Sequence, residues 1–149
     1  MNESELQQYL YDHIPQSAAM QVSVESIGRD CTVLSAPLEP NINHRDSVFG
    51  GSASSIAILA AWAHLHTRMR AAGLAPTLVI QRNTMSYDHP ILGVFKAVAS
   101  LDEQADWDRF LSMLQRRGRA RIRVVTRLEY AGQIAGCMEG DFVAVISSR

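Results

Sequence analysis

The chain has 149 residues, 47% hydrophobic and 19% charged, with a formal net charge of -1. That length suits one domain with one core, and that charge selects neither a nucleic-acid nor an acidic partner. Cys31 and Cys137 form no close-spaced metal motif; they read as reduced, buried thiols.

The first residues, Met1-Asn-Glu-Ser-Glu-Leu6, are polar and acidic rather than a basic region followed by an apolar run, so no signal peptide is expected. Ser4-x-x-Gln7 resembles a capping box, and Leu6, Tyr9 and Leu10 recur at helical spacing. This predicts a helix to about His13 that stops before Pro15. Met20, Val22 and Val24 alternate with Gln21, Ser23 and Glu25, the period of a half-buried strand. Gly28-Arg-Asp30 is a turn, and Cys31 to Leu38 is the returning strand, ended by Pro37 and Pro40. A polar loop follows, from Glu39 to Phe49.

That loop runs into Gly50-Gly51 and then a helix predicted from about Ser52 to Ala72. Gly73 is its C-terminal cap, with Pro76 beyond. Ile56, Ile58, Leu59, Trp62 and Leu65 cover most of its circumference, and an all-round apolar helix must be buried. His64, His66, Arg68 and Arg70 interrupt it, so it does not read as a membrane span. A cytoplasmic protein is expected.

Thr77 to Tyr87 is rich in β-branched residues and reads as a strand. His89 to Gly93 is a turn, and Val94 to Leu101 the next strand. Trp107, Phe110, Leu111 and Leu114 place a helix over about Ala105 to Arg117, ended by Gly118. Arg119 to Tyr130 alternates: Ala120, Ile122, Val124 and Leu128 on one face, Arg119, Arg121, Arg123 and Arg127 on the other. Ala131-Gly132 turns the chain into a last strand, Gln133 to Ile146. A curved antiparallel sheet around the long helix would bury that helix, an α+β arrangement in a single domain over residues 1–149.

The chemistry-bearing segment is Asn41-Ile-Asn-His-Arg-Asp-Ser-Val-Phe-Gly-Gly-Ser52. Gly50 and Gly51 admit a ligand where a side chain would obstruct it. The first helical amides lack intrahelical partners, and the helix dipole makes that end partly positive. This suits a carbonyl oxygen that gains negative charge. From Ser52 to Met69 there is no Asp or Glu.

The set Asn43-His44, Phe49-Gly-Gly-Ser52, Trp62, Tyr87-x-x-Pro90 and Trp107-x-x-Phe110-x-x-Met113-Leu114 through Arg116-x-Gly118-Arg-Ala-Arg-Ile122 resembles a clade of hotdog-fold proteins. That clade is often labelled as thioesterases, is sometimes fused to acetyltransferases, and includes malonyl-ACP decarboxylases. The resemblance covers about Asn41 to Ala144. It implies a curved sheet around a central helix, an acyl carrier protein or CoA thioester as substrate, and a dimer or dimer of dimers with the site between protomers. The wider family carries His-Gly-Gly with Asp or Glu about two turns into the helix. Here Phe49 replaces that His, and the matching helix positions, around Ile58 and Leu59, are apolar.

Hydrolysis needs a base positioned on water. Decarboxylation of a malonyl thioester does not: the carboxylate leaves as CO2 while donors hold the enolate oxygen. The expected catalytic groups are Asn43 and His44 with the Gly51 and Ser52 backbone. Asn43 would donate to the thioester or the carboxylate; the bland alternative is a turn Asn that bonds its own loop. His44 would protonate or orient, or is simply exposed. Asp46 is the rival base or a loop cap. Ser47 is read only as a cap or turn residue. Phe49, Gly50, Ser55, His66 and Tyr87 are expected around the substrate, with Trp62 a possible wall. Arg119 and Arg121 are expected to grip a phosphate or an acidic carrier surface, or else form a solvated face or subunit contact. The Arg strand has no interleaved aromatics, which argues against nucleic acid. His64 and His66, two apart, cannot share a helix face as a metal pair. No metal and no cofactor is expected. The reading is malonyl-ACP decarboxylation to acetyl-ACP. A thioesterase of the same fold is the alternative, and a non-catalytic acyl-thioester-binding protein a further one.

Overall fold

A computed structural model of the protein describes residues 1–147. The chain opens with α1 (Glu3–His13), started by a capping box between Asn2 and Glu5. The cap lies two residues earlier than the Ser4-x-x-Gln7 reading. Asn2 Oδ1 accepts from the Glu5 amide at 2.8 Å and the Glu5 carboxylate accepts from the Asn2 amide at 3.0 Å. Gln7 instead accepts from the amide of Val24, tying α1 to the first strand. Pro15 does not merely end α1. It opens α2 (Pro15–Ala19), where its fixed φ and missing N–H suit a first helical position.

The first strand β1 (Ser23–Ile27) begins after Met20, which caps α2, and after Gln21, which has φ 54. Then follow β2 (Thr32–Ala36), a 3-10 turn (Glu39–Asn41) and α3 (Gly50–Ala71). Next come β3 (Thr77–Tyr87), β4 (Phe95–Leu101), α4 (Trp107–Arg117), β5 (Arg119–Tyr130) and β6 (Gln133–Val145). Gly118 takes φ 71 at the end of α4, the left-handed conformation a glycine adopts without strain. The antiparallel sheet has the order β1-β2-β4-β5-β6-β3. β3 therefore forms one edge, and from Gln81 to Tyr87 all its residues except Met85 are exposed.

The sheet wraps α3, a helix of about 33 Å at ~1.5 Å per residue. Ala57, Ala60, Ala61 and Ala63 are all at 0% exposure, so strand side chains approach the helix closely. Leu34, Ala97, Ala99, Val124, Leu128, Met138 and Phe142 form the facing layer. Each large apolar side chain so buried contributes roughly 1.5 to 3 kcal/mol. One stripe of α3, with Ser55, Ile58 and Trp62, is not closed over, because the sheet ends beside it at β3. α1, α2 and α4 extend the same core through Leu6, Leu10, Met20, Phe110 and Leu114.

The alternation of β5 is fully realised: Ala120, Ile122, Val124 and Leu128 are buried, and Arg119, Arg121, Arg123 and Arg127 are exposed. Arg123 forks onto Asp141 of β6 at 2.9 and 3.4 Å and holds that carboxyl below the usual carboxylate range. Both cysteines are free and half-buried, not buried. Cys31 precedes β2 in a turn, and Cys137 alternates outward from buried Met138. Among the described residues no helix is long and apolar enough to cross a membrane.

Candidate active site at the start of the long helix

The loop before α3 is shaped by its own side chains. Asn43 Oδ1 accepts from the amides of Arg45 (2.8 Å) and Ser47 (3.2 Å), while Nδ2 donates to Ser47 Oγ at 3.0 Å. The Asn43 amide donates to the Ser47 carbonyl at 2.8 Å. Asp46, with φ 60, sits in the bend this closes. Asn43 is thus the internal brace of the loop, and any bond to a substrate would replace one of these. His44 and Asp46 are exposed at the loop tip.

The end of the loop is fixed from both sides. Val48 donates to the Ile91 carbonyl (2.8 Å) and Phe49 to the Asn41 carbonyl (2.7 Å). Asn41, only 1% exposed, donates through Nδ2 to the carbonyls of Met20 (3.0 Å) and Pro37 (2.8 Å). It pins the N-terminal helices, the end of β2 and the start of α3 together. The sequence reading missed it. A polar side chain at the head of an Asn-Ile-Asn run was the available signal.

The helix itself begins without a polar cap. α1 and α4 are capped by the side chains of Asn2 and Asp106, whereas the N-cap of α3 is Phe49, which offers no acceptor. The first intrahelical bond of α3 runs from Ala53 to Phe49, so the amides of Gly50, Gly51 and Ser52 have no acceptor among the described residues. Two aromatic rings flank this turn. A Cβ on Gly50 would meet the Tyr87 ring at 3.4 Å, and one on Gly51 would run into the Phe49 ring.

A recess of about 310 Å³ opens at the same turn. Val48, Gly50 and Ala53 form its helix side; Leu128, Ala135 and Gly136 form its floor; Tyr87 through Ile91 form its opposite wall. The helix side carries no carboxylate, since α3 holds no Asp or Glu anywhere. The opposite wall does: Asp88 and His89, which fill the two unspecified positions of Tyr87-x-x-Pro90, line the recess. Their amides both donate to the Ala135 carbonyl, at 2.9 and 3.1 Å.

Several expected site residues lie elsewhere. Ser55 lines a separate apolar groove of about 430 Å³ with Ile58, Leu59, Trp62 and residues of β3. His66, about 24 Å along α3 from Gly50 at ~1.5 Å per residue, packs against both Tyr9 (4.9 Å) and Trp62 (4.5 Å), which also lie 6.2 Å from each other. Burial, then Arg70 and His13, lowers its pKa to about 4. His64 is enclosed in the core with Nδ1 2.9 Å from Thr32 Oγ1; burial, then Arg68, lowers its pKa to about 4, with Asp30 opposing. Both rings are neutral near pH 7. Among the described residues no group of three or more His, Cys, Asp or Glu is placed to hold a metal ion. Arg119 and Arg121 stand on the outer sheet face, seven or more positions before Leu128 of the recess, about 23 Å at ~3.3 Å per residue. Arg121 reaches Gln81 at 3.5 Å.

A six-stranded antiparallel sheet curved around a central helix, with a recess at the helix start, is the hotdog architecture of acyl-thioester enzymes. The chain belongs to the family described as "Putative thioesterase (yiiD_Cterm)", whose model matches residues 3–146. It is similar to a putative thioesterase from Shewanella oneidensis, with 25% identity, 96% of each chain covered and a TM-score of 0.87. A protein of unknown function from Chlorobaculum tepidum TLS is 26% identical, with 97% of this chain and 94% of the other covered and a TM-score of 0.91. A probable thioesterase from Pseudomonas aeruginosa, 19% identical over 95% of each chain with a TM-score of 0.80, shares the fold. Family and fold together support a thioester-processing enzyme.

Proposed function

We propose that the protein decarboxylates a malonyl thioester to the acetyl thioester, with acyl carrier protein as the carrier and fatty-acid initiation as the use. The carrying observation is the uncapped first turn of α3: amides at Gly50, Gly51 and Ser52 without acceptors, beside a recess whose helix side is apolar. In this reading the thioester oxygen lies against those amides. The bond between the α-carbon and the carboxylate breaks, CO2 leaves, and the electron pair moves into the thioester as an enolate. The helix dipole and the free donors stabilise that oxygen, and removing one such donor typically costs about 3 to 4 kcal/mol in the barrier. The α-carbon then takes one proton. Asn43 supplies a further donor once its Nδ2 turns from Ser47, and His44, exposed at the tip of the same loop, is the proposed donor of that proton. Incubation with malonyl-ACP should yield equal amounts of CO2 and acetyl-ACP. Free malonate with free thiol, and no CO2, overturns the reading.

A thioesterase is the second reading, favoured by Asp88 on the wall of the recess rather than by any residue of α3. There Asp88 activates water for attack on the carbonyl carbon. Asp88→Asn would then abolish thiol release from acyl-CoA substrates while leaving the melting temperature near wild type.

The same proposal includes a homodimer or dimer of dimers. Its support is β3, an 11-residue strand paired on one side only and exposed along most of its length. Such an edge is a template for a second strand. Light scattering giving a monomer mass at micromolar concentration rejects it. A cytoplasmic location and a single domain complete the reading.

A further inference from the structure

We propose that Asn41 is a positioning residue of this site: it sets where the groups that meet substrate stand, without meeting substrate itself. The inference rests on the reading above only in taking the Gly50, Gly51 and Ser52 amides as holders of the thioester oxygen. Asn41 is 1% exposed and does not line the recess. Its side-chain donors are spent inside the protein. Nδ2 donates to the carbonyl of Met20, where α2 ends, at 3.0 Å, and to that of Pro37, just beyond β2, at 2.8 Å. A side chain bonded to two separate elements is held in place from two directions.

The main chain of Asn41 passes that fixed position on. Its amide donates to the Leu38 carbonyl at 2.8 Å, and its carbonyl accepts from the Phe49 amide at 2.7 Å. Between these two residues the chain is a closed loop: Ile42 pairs with Val48, and the Asn43 amide donates to the Ser47 carbonyl at 2.8 Å. After Phe49 comes the helix, since the Phe49 carbonyl accepts the first intrahelical bond, from Ala53. The Asn41–Phe49 pair is therefore the common base of both parts of the site. Asn43 and His44 follow directly on one side of it, and the amides of Gly50, Gly51 and Ser52 on the other.

A base that shifts carries both parts with it. Donors act on a developing oxyanion only from the right distance, and a displacement of about 1 Å costs up to ~100-fold in rate. Without the Asn41 side chain, the base keeps its bond to Phe49 but loses its tie to α2 and to the end of β2. The turn and the loop then move as one body relative to the far wall of the recess, Tyr87 to Ile91, which Val48 alone still holds through the Ile91 carbonyl. The expected signature is a loss in the rate of the chemical step with little loss in binding.

The test measures CO2 and free thiol from malonyl-ACP at a temperature where each variant is folded by circular dichroism. Asn41→Ala should lower kcat at least about tenfold and change KM less than about twofold. The amide NMR shifts of Gly50, Gly51 and Ser52 should move with it. Leu114→Val, in the part of the core beneath α4, controls for general loss of stability and should leave kcat unchanged. If Asn41→Ala does not fold, the pair Phe49→Pro and Phe49→Ala replaces it. Phe49 has φ -58, which proline adopts, so Phe49→Pro additionally removes the N–H that bonds Asn41. Its kcat should lie at least about tenfold below that of Phe49→Ala. A wild-type kcat in folded Asn41→Ala, an equal loss in Leu114→Val, or, where the pair is used, equal values within it, overturns this inference. Wild-type protein that releases thiol and no CO2 overturns the decarboxylase reading alone, and the same comparison is then decided on thiol release. Wild-type protein that releases neither overturns both.

Discussion

Thr126 of β5 donates its buried hydroxyl to the carbonyl of Ala57 in α3, 2.9 Å away. The bond joins sheet to helix two turns inside the Gly-Gly start, so it fixes how far the recess floor stands from the helix. Thr126→Val keeps the shape and removes the donor. We expect a loss of about 1 kcal/mol in urea denaturation. A stability equal to wild type would show that the bond sets position without contributing net energy.

Asn43 has one observed role and one proposed role, and the two are separable. Its Oδ1 holds the loop amides of Arg45 and Ser47, and its Nδ2 is the group proposed to reach substrate. Asn43→Asp retains the acceptor and loses the donor; Asn43→Ala loses both. Both variants should lower kcat by about 100-fold, and only Asn43→Ala should also loosen the loop, read as faster amide exchange at Ser47. Full turnover in Asn43→Asp removes Asn43 from the chemistry.

Acid stability should depend on His64. Its folded pKa of about 4 lies below the unfolded value of 6.5, so the unfolded chain takes up the proton first. Stability is therefore complete above pH 6.5 and falls as pH drops towards 4, by up to about 3 kcal/mol. His66 acts in the same direction with a smaller, solvent-screened share. His64→Gln cannot protonate and should flatten most of this slope in denaturant titrations from pH 7 to 4. An unchanged slope would assign the acid sensitivity elsewhere.

Arg119 and Arg121 stand about 23 Å or more from the recess along β5 at ~3.3 Å per residue, so they do not reach a thioester in the site of their own chain. Their proposed partner is the acidic body or phosphate of a carrier. Arg119→Ala with Arg121→Ala should raise KM for malonyl-ACP about fivefold at low salt and less at high salt. Malonyl-pantetheine, which lacks carrier and phosphate, should be unaffected. Equal effects on both substrates would return these arginines to a plain solvated face.

The fold was legible where one physical pattern dominated. The two-residue period of β5 and the apolar girth of α3 admit one reading each, and β5 was bounded to the residue. Local signals with two solutions misled. Asn2-x-x-Glu5 and Ser4-x-x-Gln7 both satisfy a capping box, and only the observed start of α1 chooses between them. Pro15 suits a helix stop and a helix start equally, and here it is the start. Of the site, the loop and the Gly-Gly turn were visible because glycine and uncapped helix starts carry meaning in one dimension. Asp88, His89 and Asn41 were not. Asp88 and His89 are placed by β3, β5 and β6 ending together beside α3, and Asn41 by the carbonyls of Met20 and Pro37 meeting at one point; pairing register and such convergence are three-dimensional facts.

The run of fully enclosed alanines along α3 has a consequence for how this protein can change. With no slack between helix and strands, even one added methylene at Ala57, Ala60 or Ala61 must push a strand outward, at a cost of about 1 to 3 kcal/mol. The solvent-facing residues near the glycine turn, Phe49, Tyr87, Asp88 and His89, can by contrast be exchanged without disturbing that scaffold.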